Sequence, residues 1–432
     1  MLVMRTPSSL SRRRALSLLG GGLCVGAVGG YVVRDTLGRN AEAAPLVITP
    51  SDWSHPNYDA TNNRHPPKAN APDDPHVLDV VWTASIPLKQ GYFPDLPEPV
   101  TTNGLVVASE STVNPDGVQF DFLTTRNGTS SQRFSKVGPE HVVVATSSRL
   151  FSHYDGTDGM QLDAWSLSGG EKLWSWSENM SSHPPLQPVV AGGLVHVATP
   201  TSHSTSMAYG FTPDGKVEWK TRFGGSTLTL VPPAATARTL VHPKSDGFTV
   251  FDTQTGEYRW ETDWTDSTHW SGSSRTISAA PVIYDELLYT SAHGRVAVYD
   301  LEEKRDPRWV NEQGDSRSVR IAAVDENHVY LTQFGGALTA LHADDGTIDW
   351  TLGFRDLHPA ATGQTAATLC DGKLYVGVYA EEDDHQPRLA IVDAESGEID
   401  KRTTLPAVPK SGPILSNGTV VLRTREGFVG LR

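Results

Sequence analysis

A tryptophan, or a residue standing in for one, recurs a few positions after a glycine-bearing turn: Trp82, Phe134, Trp174, Trp219, Trp260, Trp309, Trp350 and Lys401. The intervals are 52, 40, 45, 41, 49, 41 and 51 residues, near the length of a four-stranded propeller blade. Residues 280 to 309 show the unit well. Pro281-Val282-Ile283 leads to a turn at Tyr284-Asp285-Glu286, and Leu287-Leu288-Tyr289 leads to a turn at Ala292-His293-Gly294. Val296-Ala297-Val298-Tyr299-Asp300 and Trp309 follow. Short β-branched and aromatic runs bounded by Gly, Asn or Asp read as strands. Asn103-Gly104, Gly192-Gly193, Asp371-Gly372 and Asn417-Gly418 offer the positive φ of tight hairpins. Asp252-Thr253-Gln254-Thr255-Gly256-Glu257 is a second turn class, with an Asp carboxylate to accept turn N–H groups and a glycine for the left-handed position.

One four-stranded sheet cannot bury both of its faces, so such units stack, and closing the stack into a ring covers every face. The last unit, from Ser411 to Arg432, has three strands and then stops, while Val80 to Ile86 reads as a fourth strand with no unit before it. Pairing these two ends completes an eighth blade. The expected fold is therefore all-β, an eight-bladed β-propeller of four-stranded antiparallel blades over residues 80–432, closed by an N-terminal strand.

Residues 1–43 read as an export signal. Arg12-Arg13-Arg14 precedes an apolar, glycine-rich run that continues to Val33, and Ala41-Glu42-Ala43 fits a small-x-small cleavage site. The paired arginines resemble a twin-arginine signal. The chain is then exported, extracellular or associated with the cell surface, and membrane contact requires that this segment be retained. Residues 44–79, rich in Pro and Asn, read as an extended arm. The net charge of −14 excludes a strongly basic nucleic-acid binder; the first 43 residues contribute +4, so the remainder carries −18. Cys24 and Cys370 are the two cysteines, too few for a disulfide framework or a thiolate metal cluster.

Asp252-x-x-Thr255-Gly256-Glu257-x-x-Trp260 resembles the tryptophan-docking repeat of propellers related to pyrroloquinoline-quinone (PQQ) dehydrogenases, with degenerate copies ending at Trp174, Trp219 and Trp350. The segment Asp52-Trp53-Ser54-His55, with Tyr58-Asp59-Ala60-Thr61-Asn62, resembles the lead-in of exported members. The likeness covers residues 52–432. It implies a structural role for Trp82, Trp174, Trp219, Trp260, Trp309 and Trp350, each packed between neighbouring blades.

In an antiparallel meander of strands A to D, the A–B and C–D turns share one rim and the B–C and D–A connections share the other. The tight turns fall on the first rim and the long segments on the second, which makes the second rim and its axial funnel the expected recognition face. Tyr92, Phe93, Tyr154, Trp264, His269 and Trp270 offer aromatic contact surface there, and Arg275, Arg317, Arg320 and Arg355 offer cations near the start of axis-lining strands. Glu381-Glu382-Asp383-Asp384-His385 lacks the spacing of a calcium loop and reads as a solvated tip. The fifteen histidines show no helical metal-ligand spacing, so no metal site is expected; nor does a phosphate loop or nucleophile elbow occur. The resemblance implies two alternatives. The leading one is a cofactor-free, non-enzymatic scaffold similar to the BamB-type assembly factors, binding a protein or other extracellular ligand through the looped rim. The other is a PQQ-dependent dehydrogenase holding the quinone and Ca²⁺ in the funnel. Catalytic relatives usually carry a disulfide between adjacent cysteines, which this chain lacks, and the calcium ligands and catalytic base have no counterpart that can be mapped.

Overall fold

The structure, a computed structural model, describes residues 45–86, 98–110, 118–137, 142–156, 159–178, 186–202, 205–225, 231–244, 247–263, 279–292, 294–302, 306–313, 319–333, 337–380 and 385–432. The signal assigned to residues 1–43 lies outside them. Eight antiparallel sheets form the ring expected from the repeat, each a meander in chain order except the last. The innermost strands of blades 1 to 8 are Val100–Thr102, Val142–Ala145, Val189–Ala191, Ala234–Ala235, Val282–Tyr284, Val319–Val324, Thr368–Cys370 and Ile414–Ser416. Blade 7 carries a further short strand, Gly363–Gln364, on Lys373–Tyr379. Among the described residues no helix is long and apolar enough to cross a membrane.

Blade 8 closes the ring. Its outermost strand is Val80–Ser85, paired antiparallel with Gly427–Leu431 so that Trp82 faces Gly430 and Ser85 faces Gly427. Asp79 and Arg432 exchange backbone hydrogen bonds of 2.8 and 3.0 Å just beyond the ladder. The carboxyl-terminal sheet thus has no open edge where the chain ends.

Burial follows position in the blade. Innermost strands such as Val142–Ala145 and Ile414–Ser416 are buried at every residue, whereas the outermost Val217–Gly224 places Trp219 and Phe223 inward and exposes most of the residues around them. The apolar core is divided into eight clusters, one at each seam between adjacent blades.

Six indoles tie the seams from outside. Each donates its Nε1–H to a backbone carbonyl of the next blade: Trp82 to Thr125, Trp174 to Pro213, Trp219 to Thr253, Trp260 to Leu301, Trp309 to Ala343 and Trp350 to Ala394, at 3.0 to 3.1 Å. At five of the six seams the ring lies against a turn glycine of that neighbour; only Gly fits at Gly256, where φ is +66° and a Cβ would stand 2.2 Å from Trp219. At the seam of blades 7 and 8 the aromatic anchor is absent. Lys401 donates to the carbonyl of His76 (2.6 Å) and Thr403 to that of Leu78 (3.0 Å), while the fully buried Leu78 fills the seam. The arm supplies there what the repeat lacks.

Candidate functional site

Most of the expected recognition residues fall outside the described residues: Tyr92, Phe93, Trp264, His269, Trp270, Arg275 and Arg317, together with Glu381 to Asp384. Of the remainder, Tyr154 corrects the sequence reading. Its ring is part of the core between blades 1 and 2. Its hydroxyl is shared between Gln161 Oε1 (2.5 Å) and Asp163 Oδ2 (2.9 Å), and burial, then the Asp163 carboxylate, raise its pKa above the usual phenol range. A ring sealed between two sheets contacts no ligand. Arg355 is exposed on the short helix Phe354–Leu357. Arg320 is exposed near the start of the innermost strand of blade 6.

The arm is wound into the hub instead of trailing from it. Backbone N–H groups near the ends of the innermost strands each meet an acceptor from residues 53–64. Thr101 bonds the Trp53 carbonyl, Ala145 that of Ser54, Ala235 that of Ala60, Ile283 that of Thr61 and Leu369 that of Arg64. Val190 donates to His55 Nε2 (3.0 Å) and Val324 to Asn63 Oδ1 (2.9 Å). At blade 8, Arg64 Nη2 reaches the Pro413 carbonyl (3.2 Å) and Ser416 Oγ donates to the Ser51 carbonyl (3.0 Å). Every blade is engaged in turn. The innermost strands are sheet edges, and a segment running past them accepts one backbone N–H from each of blades 1 to 7 without joining any sheet. Since these strands run toward the A–B turns, the arm closes the axis at the tight-turn rim.

Arg64 is the centre of this plug. It is fully buried, its guanidinium lies 4.9 Å from the Trp53 ring centroid, and it donates to Thr368 Oγ1, the Pro56 carbonyl and Asn57 Oδ1, each at 3.3 Å. Gly412 permits this approach: a Cβ there would stand 2.1 Å from Arg64 Nη2. Glu98, just before the first innermost strand, comes within 3.7 Å of Arg64 through Oε2 and accepts from the Gly412 N–H through Oε1 (3.2 Å). Burial pushes the Glu98 carboxyl above the usual range, against the opposing pull of Arg64, Gly412, Arg320 and Arg423. Among the described residues this part of the axis presents one carboxylate facing three guanidinium groups. A calcium ion takes six to eight oxygen ligands with several carboxylates, so this donor set does not fit Ca²⁺, and Arg64 is already committed to protein acceptors.

A second feature lies between blades 6 and 7 on the tight-turn rim. A cleft of about 850 Å³ is lined by eight carboxylates and one lysine, and that lysine, Lys373, is bound to Asp393 (2.9 Å) and Asp400 (2.6 Å). His328 and His342 stand opposite each other on paired strands of blade 6, with ring centroids 5.6 Å apart. Asp349, from the outermost strand, approaches His328 Nε2 at 3.0 Å and His342 Nε2 at 3.6 Å. Their ligand atoms lie within 4.8 Å of one another. Helical spacing of histidines does not reveal this group, because its members sit on strands. The signal that would have found this group is a strand register: two histidines flanking one meander and an Asp immediately before the docking Trp350.

A closed ring of four-stranded blades seamed by docking tryptophans defines the PQQ-like class of β-propellers. Residues 120–352 match the family described as "Outer membrane protein assembly factor BamB", and the chain belongs to that family. Among solved structures it is similar to BamB from Moraxella catarrhalis, with 19% identity, TM-score 0.57, and 82% of this chain and 97% of that one covered. It is also similar to the quinohemoprotein alcohol dehydrogenase from Comamonas testosteroni, with 12% identity, TM-score 0.63, and coverage of 91% and 81%. The computationally designed Ika8 protein aligns with 14% identity, TM-score 0.60, and coverage of 82% and 99%. These likenesses show the fold. No curated protein matches the sequence.

Proposed function

We propose that the protein is an exported, non-enzymatic scaffold that binds a protein or other extracellular ligand through its long-loop rim. The observation that supports this reading is the plug. The arm seals the axis at the tight-turn rim and commits Arg64, while the neighbouring axial groups offer Glu98 among arginines and do not suit Ca²⁺. Recognition then falls to the opposite rim, toward which exposed Arg320 lies near the start of its strand and to which the sequence pattern assigns the long connections. Membership in a family named for outer membrane protein assembly accords with a protein partner. The second reading is a PQQ-dependent dehydrogenase, in which the quinone supplies the redox chemistry.

Titration of the purified protein with PQQ and Ca²⁺, followed by gel filtration and a dye-reduction assay with alcohols and sugars, separates the two readings. The scaffold reading expects no quinone absorbance in the protein peak and no dye reduction. Retained absorbance accompanied by substrate-dependent dye reduction overturns it.

A further inference from the structure

We propose that His328, His342 and Asp349 form a binding site for a divalent transition-metal ion of the Zn²⁺ type, with a fourth position open to water or an outside donor. Two imidazoles and a carboxylate are the donor set of open zinc sites, where metal–ligand distances of about 2.0–2.2 Å place neighbouring ligand atoms roughly 3.4 Å apart. His328 Nε2 stands 3.0 Å from Asp349 Oδ2 and His342 Nε2 3.6 Å from Asp349 Oδ1, and the three residues offer one ligand atom each within 4.8 Å of one another.

The surroundings orient the ligands. Asp325 Oδ1 accepts from the backbone N–H groups of Asn327 and His328, both at 2.8 Å, which fixes the carboxylate. Its Oδ2 accepts from the Tyr330 hydroxyl at 3.0 Å. With that hydrogen spent, the Tyr330 oxygen is an acceptor toward His328 Nδ1 at 3.4 Å. His328 Nε2 and Asp349 Oδ2 stand 3.0 Å apart, close enough to share one ion. A carboxylate–hydroxyl–imidazole chain behind a ligand is the outer-shell arrangement that raises ligand basicity in metal sites. The remaining carboxylates of the cleft raise the local concentration of divalent cations, and His328 is buried while His342 and Asp349 face the cleft mouth, so the ion has a route in.

The competing arrangement is metal-free, a hydrogen bond donated by His328 Nε2–H to the Asp349 carboxylate. Titration of the chelator-treated full chain with Zn²⁺ against a chromophoric competitor, and with Co²⁺ to read its ligand-field band, distinguishes the two. The expected result is one ion per chain and a four-coordinate cobalt spectrum. His342→Ala and Asp349→Asn, checked for folding by circular dichroism, should each weaken binding by roughly a hundredfold, and Tyr330→Phe by about tenfold. Glu395→Gln, on the far wall of the cleft, should leave affinity within about twofold. Absence of saturable binding overturns the proposal. So does binding that survives His342→Ala and Asp349→Asn unchanged, or that falls as far in Glu395→Gln, which would mean diffuse attraction to acid.

Discussion

Gly256 shows how much one missing side chain decides. Its φ of +66° lies where an L-residue is strained, and a Cβ would stand 2.2 Å from Trp219, whose indole is fixed by its bond to the Thr253 carbonyl. Gly193 has the same kind of backbone, φ +81°, but nothing within 4 Å. The left-handed strain alone costs about 1–2 kcal/mol, and overpacking a filled site adds about 1–3 kcal/mol. Gly193→Ala should therefore destabilise by about 1 kcal/mol and Gly256→Ala by about 3 kcal/mol, measured by urea unfolding with equal slopes. Equal losses would mean that the ring contact carries nothing. This motif was legible in the sequence because its parts are local: Asp252, Thr255 and Gly256 form one turn, and Trp260 follows on the same strand. What stayed hidden was the partner of each indole, which lies a full blade away. The substitution of Lys401 was visible as a lost tryptophan, but its remedy, Leu78 and two bonds from the arm, was not.

At the scale of strands, the blades bury histidines in neutral form. His55 packs in the hub, and His153, His196 and His242 lie on second strands of blades 2, 3 and 4. Burial lowers their pKa to about 3 for His55 and His242 and to about 4 for His153 and His196. His55 gives the physical reason most plainly, because its Nε2 accepts the Val190 N–H and a proton there would abolish that bond. In the unfolded chain each titrates near 6.5. Between pH 6.5 and about 4 the unfolded state binds more protons than the folded one, so their contribution is complete above pH 6.5 and is lost as pH falls. Each histidine contributes a slope of about 1.4 kcal/mol per pH unit once its unfolded form is fully charged. Urea midpoints at pH 7.5, 5.5 and 4.5 should fall steeply over the last two. His242→Phe, which keeps a ring stacked on Phe223 and edge-on to Phe251, should reduce the slope by about 1.4 kcal/mol per pH unit. A variant as acid-sensitive as the parent would exclude His242 from the effect. A buried histidine cannot be told from a surface one by its neighbours in sequence, and the same blindness hid His328 and His342, whose meeting depends on strand register.

For the whole molecule, circular closure was readable because both ends of the chain advertise incompleteness, three strands at one and an orphan strand at the other. The fate of the arm was not. Its Pro and Asn content describes a segment without sheet or helix, and only the ring geometry shows that seven of the converging strands present an N–H for such a segment to satisfy. The arm therefore acts as a hub pin, complementary to the strand that fastens the rim. A chain lacking residues 45–70 but keeping Val80–Ser85 retains the closing strand and loses the pin. Each hydrogen bond contributes about 1 kcal/mol net, and the buried Trp53 side chain adds about 2–3 kcal/mol, so the truncation should cost on the order of 10 kcal/mol before the hub relaxes or admits water. Scanning calorimetry should show a lower transition temperature, and a peptide spanning residues 45–70, added in trans, should restore part of it in a concentration-dependent way. An unchanged transition would mean that the ring is held by its seams and closing strand alone. A lowered transition that the peptide cannot raise would mean that the arm acts only while the ring assembles around it.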